Sequence, residues 1–439
     1  MIDRRQILKI GAMLGASAAL PGCIQSRLAG GLSPAFDWTL FPPAAAGISP
    51  EGLAGMRAAI QQSIDANELS SAVTAVTRHG KLAWYEAQGL RDIEARVPVR
   101  KNDIFRLASS SKPVTAVCAL ALMDAGRLSI DDKISRFIPS FRNPRVAQLP
   151  PDVERLRFDF AKRDQLKSQV KIVPADRELT IKDLLTHTGG LSTFFGMGSG
   201  SPPIDKAKTL ADRIPLVGQA TLDFQPGSQW AYSPLDGIDV VGHIVEIVSG
   251  MALDEYMRSR IFEPLGMTDT TFNLTAQQQP RLVPLYRREK DSWKTTTDLL
   301  NAGDPEMKYL CAAGGLVGTA HDYMQFQMML HNRGELNGRR ILSREAVTLM
   351  STNHVGRMFE QVPVMGRKGW GFGLAVGIVV DPAAAGSARG RGSFGWDGAH
   401  GTDGWVDPEH DLAAVYFVQQ SVKSRLQAFD RAIAGALIG

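Results

Sequence analysis

The stretch Phe105-Arg106-Leu107-Ala108-Ser109-Ser110-Ser111-Lys112-Pro113-Val114-Thr115-Ala116 stands where an apolar helix begins. Val114, Val117, Leu120 and Ala121 recur at helical spacing as far as Asp124, and Gly126 follows as a C′ residue, so the pattern predicts a buried helix with polar groups at its start. Residues three apart share one face of a helix, which sets the Lys112 amine beside the Ser109 hydroxyl. Burial disfavours a lysine's charged form, and the positive end of a helix dipole pushes the same way. An amine so placed can accept a hydroxyl proton, and the helix start offers the Ser109 N–H to a developing oxyanion. Ser-x-x-Lys alone is a weak pattern and occurs again at Ser168-Gln169-Val170-Lys171. That copy lies in a charged segment with no apolar helix after it, so position favours Ser109.

Around this stretch the chain reads as an ordinary globular protein of 439 residues, 44% hydrophobic and 21% charged. A formal charge of +4 without a Lys/Arg stripe makes no case for nucleic acid. Part of that positive excess comes from Arg4, Arg5 and Lys9. Arg4-Arg5-Gln6-Ile7-Leu8-Lys9, a weakly apolar run from Ile10 to Leu20 and the small-residue exit at Pro21-Gly22-Cys23 predict an export signal over 1–22. The start resembles a twin-arginine signal, and Leu20-Pro21-Gly22-Cys23 resembles a lipobox, which would tether the protein to a membrane by lipid at Cys23 in the periplasm or cell envelope. Residues 23–47, rich in Ala, Gly, Ser and Pro, read as a linker. No cysteine spacing suggests a metal site, and a disulfide between Cys118 and Cys311 is allowed but not implied.

A helix is expected over about Pro50–Glu68. Val73–Thr77 and Leu82–Tyr85 flank Arg78-His79-Gly80-Lys81 as a hairpin. The charged, proline-rich stretch 142–177 reads as a surface insertion. Helices follow at Ile181–Thr186, Asp236–Ser249 and Leu253–Ile261, strands return at Trp370–Val380 and Leu412–Gln419, and Arg425–Leu437 closes as an amphipathic helix. This order predicts a sheet built from both chain ends, 48–138 and 302–439, with a mainly helical part at 139–301 between them. The G-x-S-x-G elbow, H-E-x-x-H and a Walker loop are all missing.

The 105–116 stretch is similar to the nucleophile box of the serine β-lactamase and penicillin-binding-protein superfamily, on its class C side. Leu184-Leu185-Thr186-His187-Thr188-Gly189-Gly190-Leu191, Ile261-Phe262-Glu263-Pro264-Leu265-Gly266-Met267 and Gly314-Gly315-Leu316-Val317 with Asp322-Tyr323 resemble further family stretches in the same order. The resemblance implies an α/β (α+β), β-lactamase/transpeptidase-like fold: an antiparallel sheet flanked by helices from both chain ends, plus an inserted helical region. The family's Tyr-x-Asn box falls on Tyr232-Ser233-Pro234. Tyr232 would then share the Ser109 proton with Lys112, a transfer that needs cationic charge near the phenol, and Pro234 stands where an amide would contact an acylamide. The Lys-Thr-Gly box has no literal copy; Trp396-Asp397-Gly398 takes its place, as in family VIII carboxylesterases, and Ala399 would donate the second oxyanion N–H.

The lost lysine removes a cation for a substrate carboxylate, and Asp397 would oppose one if it faced the site. The resemblance therefore implies a serine carboxylesterase for small uncharged esters, working without metal or organic cofactor. A β-lactamase, a D-Ala carboxypeptidase or an acyltransferase could use the same residues, and a non-catalytic cell-envelope binding protein could keep the fold. Trp396, Gly398, His400, Phe195 and Trp370 are candidates for substrate contact, with Phe194 and Phe372 as further wall residues. A Ser–His–Asp triad through His400 and Asp403 is disfavoured, since Lys112 and Tyr232 already supply bases, and His187 is expected to satisfy backbone groups at a helix end.

Overall fold

The computed structural model describes Phe36 and residues 38–438, except 154–155, 157–158, 195, 199, 290–291, 363–365 and 421–425. The export signal, Cys23 and Phe195 lie outside the described residues, as does most of the linker. Pro34–Gly439 forms one compact unit.

An antiparallel sheet of eight strands is its frame. The N-terminal side supplies α1 (Pro50–Asp65), β1 (Ser71–Arg78), β2 (Lys81–Asp92) and β3 (Val97–Pro98); the C-terminal side supplies β4 (Trp370–Phe372), β5 (Gly377–Val379), β6 (Phe394–Asp397), β7 (Asp403–Asp407) and β8 (Leu412–Phe417). Their spatial order is β4-β5-β6-β7-β8-β1-β2-β3, so the two chain ends meet where β8 pairs with β1, Val73 opposite Phe417 through Arg78 opposite Leu412. The expected hairpin is β1–β2, and the expected strand 370–380 divides in two at a turn closed by the Gly373 N–H and the Val376 carbonyl.

Both faces of this sheet are covered, so its strands read as continuous apolar runs. Leu412, Ala414 and Tyr416 of β8 point to one face, where Met56 and Ile60 of α1 meet Phe429 and Ile433 of the C-terminal helix, Leu426–Ala436. The alternate residues Ala413, Val415 and Phe417 join the main core on the other face. That core is built on α2 (Ser111–Asp124), in which residues 111–120 are all buried. Pro113 is tolerated there because first-turn N–H groups need no helical partner. Gly126, at φ +68°, closes the helix with its N–H on the Met123 carbonyl while Arg127 bonds Leu122, a Schellman ending.

Behind α2 stand α3 (Ile181–Leu185), α4 (Leu210–Val217) and α5 (Asp236–Ser249), while α6 (Ala320–His331) packs on β1, β7 and β8 of the sheet. Segment 142–177 is more ordered than its charge suggests. Arg145–Gln148 and Lys171–Pro174 pair as an antiparallel ribbon beside a small cluster of Ala147, Leu149, Leu166 and Met197. Its strands are four residues long, too short to show alternation among charged neighbours. Leu253–Met257 continues through one π turn, Arg258–Phe262, so the helix expected to end at Ile261 is real but irregular. Cys118 and Cys311 are both free and buried, and burial pushes both thiols up.

The C-terminal helix is locked to the sheet by a buried ion triad. Arg389 donates to Asp403 of β7 (2.7 Å) and to Asp430 (2.9 Å), with its guanidinium 3.8 Å from the Trp405 ring centroid. Burial pushes Asp430 up to about 6, against the pull of Arg389, and pushes Asp403 up as well. Arg389→Met strands two buried carboxylates and is expected to cost about 3–5 kcal/mol at pH 7. Carboxyls that titrate higher in the folded state favour folding most at low pH and lose that contribution as pH rises through the folded value. The deficit of Arg389→Met, measured by urea unfolding, should therefore be smaller at pH 5 than at pH 7.

Candidate active site

Ser109 sits in a 3-10 turn, Ala108–Ser110, that runs directly into α2. Ala108 has φ +46°, a left-handed conformation that is costly for a residue with a Cβ. The surroundings hold this turn in place. The Ser110 carbonyl accepts from the Tyr323 hydroxyl of α6 (2.8 Å), and the Leu107 carbonyl accepts from the Thr402 hydroxyl (2.8 Å). The Ser110 hydroxyl lies 3.1 Å from Thr402 Oγ1 and 3.3 Å from the Trp396 carbonyl.

Lys112, in the first turn of α2, is fully buried. Its Nζ lies 3.1 Å from Ser109 Oγ, 2.7 Å from the Pro234 carbonyl and 2.8 Å from the Ala313 carbonyl. Two of its three polar directions are thus fixed on backbone oxygens, and the third meets the serine. The Tyr232 hydroxyl donates to Ser109 Oγ at 2.8 Å, and Lys112 Nζ stands 5.2 Å from the centre of that ring. Lys112, three residues along the chain, and Tyr232, 123 residues along it, thus meet on one serine oxygen.

His187 holds Tyr232 from both sides. Its carbonyl accepts the Ala231 N–H (3.0 Å) and its Nδ1 accepts the Ser233 N–H (3.2 Å). Burial, and then the charge of Lys112, push its imidazole well below the ordinary range, which keeps Nδ1 free to accept. The imidazole therefore serves the tyrosine loop rather than the end of α3, where only the His187 backbone N–H bonds, to the Leu184 carbonyl. The Thr-His-Thr-Gly-Gly stretch was visible in sequence, but its partner 45 residues away was not.

Trp396 of β6 turns its indole toward the site and donates from Nε1 to the Tyr232 hydroxyl at 3.3 Å. It belongs to an aromatic cluster with Trp230, Tyr232, Phe359 and Phe372, against which Trp370 packs. Phe194, half exposed, stacks on Tyr232 with centroids 5.9 Å apart. The alternate residue Asp397 lies on the other side of β6, 3.7 Å from Arg367, bordering a cavity of about 450 Å³ together with Trp370, Arg389 and Asp403. It therefore does not oppose a substrate carboxylate at Ser109, contrary to the expectation from sequence.

Gly398 is required by close approach. A Cβ there would lie 2.3 Å from the Leu107 carbonyl oxygen and 2.3 Å from Thr402 Oγ1, where β6 presses on the serine turn. The next residue, Ala399, is exposed. Among the described residues neither its N–H nor that of Ser109 has an acceptor. His400 binds Asp298 rather than Asp403 (Nε2 to Oδ1, 3.1 Å), and its carbonyl accepts the Gln420 N–H, so it pins the turn that follows Ala399. Although burial pushes Asp298 up, hydrogen bonds from His400 and the Ala302 N–H hold it below the usual carboxylate range. Asp403 is engaged by Arg389, which removes the His400–Asp403 pairing altogether. Ser168, the other Ser-x-x-Lys serine, donates to the Gln165 carbonyl at the end of a short exposed helix.

A half-buried serine touching a buried lysine and a buried tyrosine, beside two N–H groups with no acceptor among the described residues, is an arrangement capable of acyl transfer. The β-lactamase family model matches residues 56–437, and the chain belongs to that family. Protein Rv1367c of Mycobacterium tuberculosis is 36% identical over 384 residues, covering 84% of this chain and 90% of that protein. Esterase EstB of Burkholderia gladioli is 29% identical over 380 residues, covering 81% and 87%. Among solved structures, EstCE1, a hydrolase with promiscuous acyltransferase activity, superposes with a TM-score of 0.72 at 25% identity, covering 88% of this chain and 99% of that one. A family VIII carboxylesterase shares the fold, with a TM-score of 0.68 at 16% identity over 89% and 99%. The class is thus a serine hydrolase of the β-lactamase superfamily with esterase and acyltransferase relatives.

Gly398→Ala drives a methyl between β6 and the serine turn. Displacements near 1 Å cost about 100-fold in rate, so hydrolysis of p-nitrophenyl butyrate should fall by about that factor in a protein whose far-UV circular dichroism is unchanged.

Proposed function

We propose that this protein is an exported carboxylesterase that cleaves small, uncharged esters through an acyl-enzyme on Ser109. The observation that carries the proposal is the placement of Ser109 Oγ 3.1 Å from Lys112 Nζ and 2.8 Å from the Tyr232 hydroxyl. With Lys112 Nζ fixed on the Pro234 and Ala313 carbonyls, its remaining direction faces the Ser109 hydroxyl. Ser109 Oγ attacks the ester carbonyl and its proton passes to Lys112. The oxyanion is held by the N–H groups of Ser109 and Ala399. As the C–O bond to the alcohol breaks, Tyr232 protonates the departing oxygen and recovers a proton from Lys112. Water then adds to the acyl-serine by the same proton path, releasing the acid and restoring the Ser109 hydroxyl.

The preference for uncharged esters is supported by the indole of Trp396, which stands beside Tyr232 where a β-lactamase-type site would present a lysine. Phe194, half exposed and stacked on Tyr232, offers apolar surface beside the tyrosine, backed by the buried rings of Trp230 and Phe372. The twin-arginine-like start supports export, and its lipobox-like end supports a lipid at Cys23. Transfer of the acyl group to an alcohol is a second reading, favoured by the likeness to EstCE1. It predicts ester exchange when an alcohol is added to the assay.

Ser109→Ala is expected to lower kcat for p-nitrophenyl butyrate by about 10⁴-fold or more, and Lys112→Met and Tyr232→Phe by about 10²–10⁴-fold. Hydrolysis that survives Ser109→Ala would sink the assignment. Faster turnover of nitrocefin than of esters would move the protein to the β-lactamases.

A further inference from the structure

Asp239 lies in the first turn of α5, fully buried, and touches none of the residues that meet on Ser109. Its oxygens are served by one short stretch of chain. Oδ1 accepts from the Ala313 N–H (3.0 Å) and faces the Cys311 thiol (3.4 Å), and Oδ2 accepts from the Tyr309 hydroxyl (2.8 Å). The nearest cation, Arg213 of α4, is 4.0 Å away and otherwise engaged, with Asp236 at 2.6 Å, the Pro202 carbonyl at 3.0 Å and the Tyr309 hydroxyl at 3.2 Å.

We propose that Asp239 is a positioning residue for the Ser109 site: by gripping the turn Cys311–Gly315 it sets the Ala313 carbonyl that aligns Lys112. The inference rests on the reading that Lys112 takes the Ser109 proton. Ala313 is held on one side by Asp239, through its N–H, and gives its carbonyl to Lys112 at 2.8 Å on the other. The turn is stiff, because the Gly314 and Gly315 N–H groups both bond the Cys311 carbonyl and the Thr115 hydroxyl bonds the Ala312 carbonyl (2.8 Å). It also lies flat on α5, where a Cβ at Gly242 would come within 2.5 Å of the Ala312 Cβ. The second acceptor of Lys112, the Pro234 carbonyl, leads into the same helix. One helix thereby governs both backbone oxygens that orient the amine.

Stability does not account for this carboxylate. Burial pushes Asp239 up to about 6 despite its hydrogen bonds, the mark of a charge that costs the fold free energy at neutral pH. A well-packed apolar side chain would avoid that cost.

The test is Asp239→Asn in the full chain, which keeps the volume but presents an amide to donors that need an acceptor. Expected are a fall in kcat for p-nitrophenyl butyrate of about 10–100-fold, a KM within about threefold, and a proportional slowing of Ser109 labelling by a fluorophosphonate. Tyr309→Phe removes one hydrogen bond to Asp239 and leaves the carboxylate in place. It should lower kcat by about fivefold, the worth of one such bond, again with KM held. A folded Asp239→Asn protein with wild-type kcat overturns the proposal. Should that variant fail to fold, an unchanged kcat in Tyr309→Phe overturns it. If the wild-type protein is not labelled at Ser109 at all, the underlying assignment of the serine fails instead.

Discussion

The amine of Lys112 is the constraint on which the rest depends. A lysine with no exposed surface must find acceptors for its N–H groups, because an unpaired buried amine costs several kcal/mol. Here they are two carbonyls and a hydroxyl, from Pro234, Ala313 and Ser109, in three segments of the chain. Meeting that demand fixes where the inserted helical region stands against the sheet. It also explains the fit around α2, which carries the lysine in its first turn and is buried on every side beyond it.

The same economy governs the turn that carries Ser109. Left-handed Ala108 is unfavourable on its own, and it persists because its neighbours are tied from several directions. Tyr323 holds Ser110 from α6, Thr402 holds Leu107 from the β6–β7 turn, and Gly398 lets the strand come close enough for the second of these. The serine is rigid because two parts of the sheet and one helix agree about its position. Trp396 adds a donor to the Tyr232 hydroxyl from the same strand, so the phenol is partnered there by an uncharged indole.

Much of this was legible in the sequence where the signal is local. The helix after Ser109, its glycine stop at Gly126, the hairpin of β1 and β2 and the helix Asp236–Ser249 each follow from spacing and turn chemistry within a short window. Ser109 was separable from Ser168 because only one of them precedes an apolar helix. Pairings across the chain were not legible. Asp397 looked like a charge in the site until strand alternation turned it to the far face with Arg367. His400 had Asp403 three residues away, yet it binds Asp298 because Asp403 is already taken by Arg389. The ribbon in 145–174 escaped notice because two four-residue strands cannot build a period.

The sequence by itself determined the family, the Ser-x-x-Lys stretch of Ser109 and Lys112 at the head of a buried helix, and the plan of a sheet made from both chain ends. Those depend on residue types at short spacing and on motif order, which survive without coordinates. Only the tertiary structure decided which carbonyls receive Lys112, that His187 clamps the loop of Tyr232, and that Asp239 grips the turn carrying Ala313. Hydrogen bonds act over about 3 Å, and no rule of spacing along a chain says which distant groups will come that close.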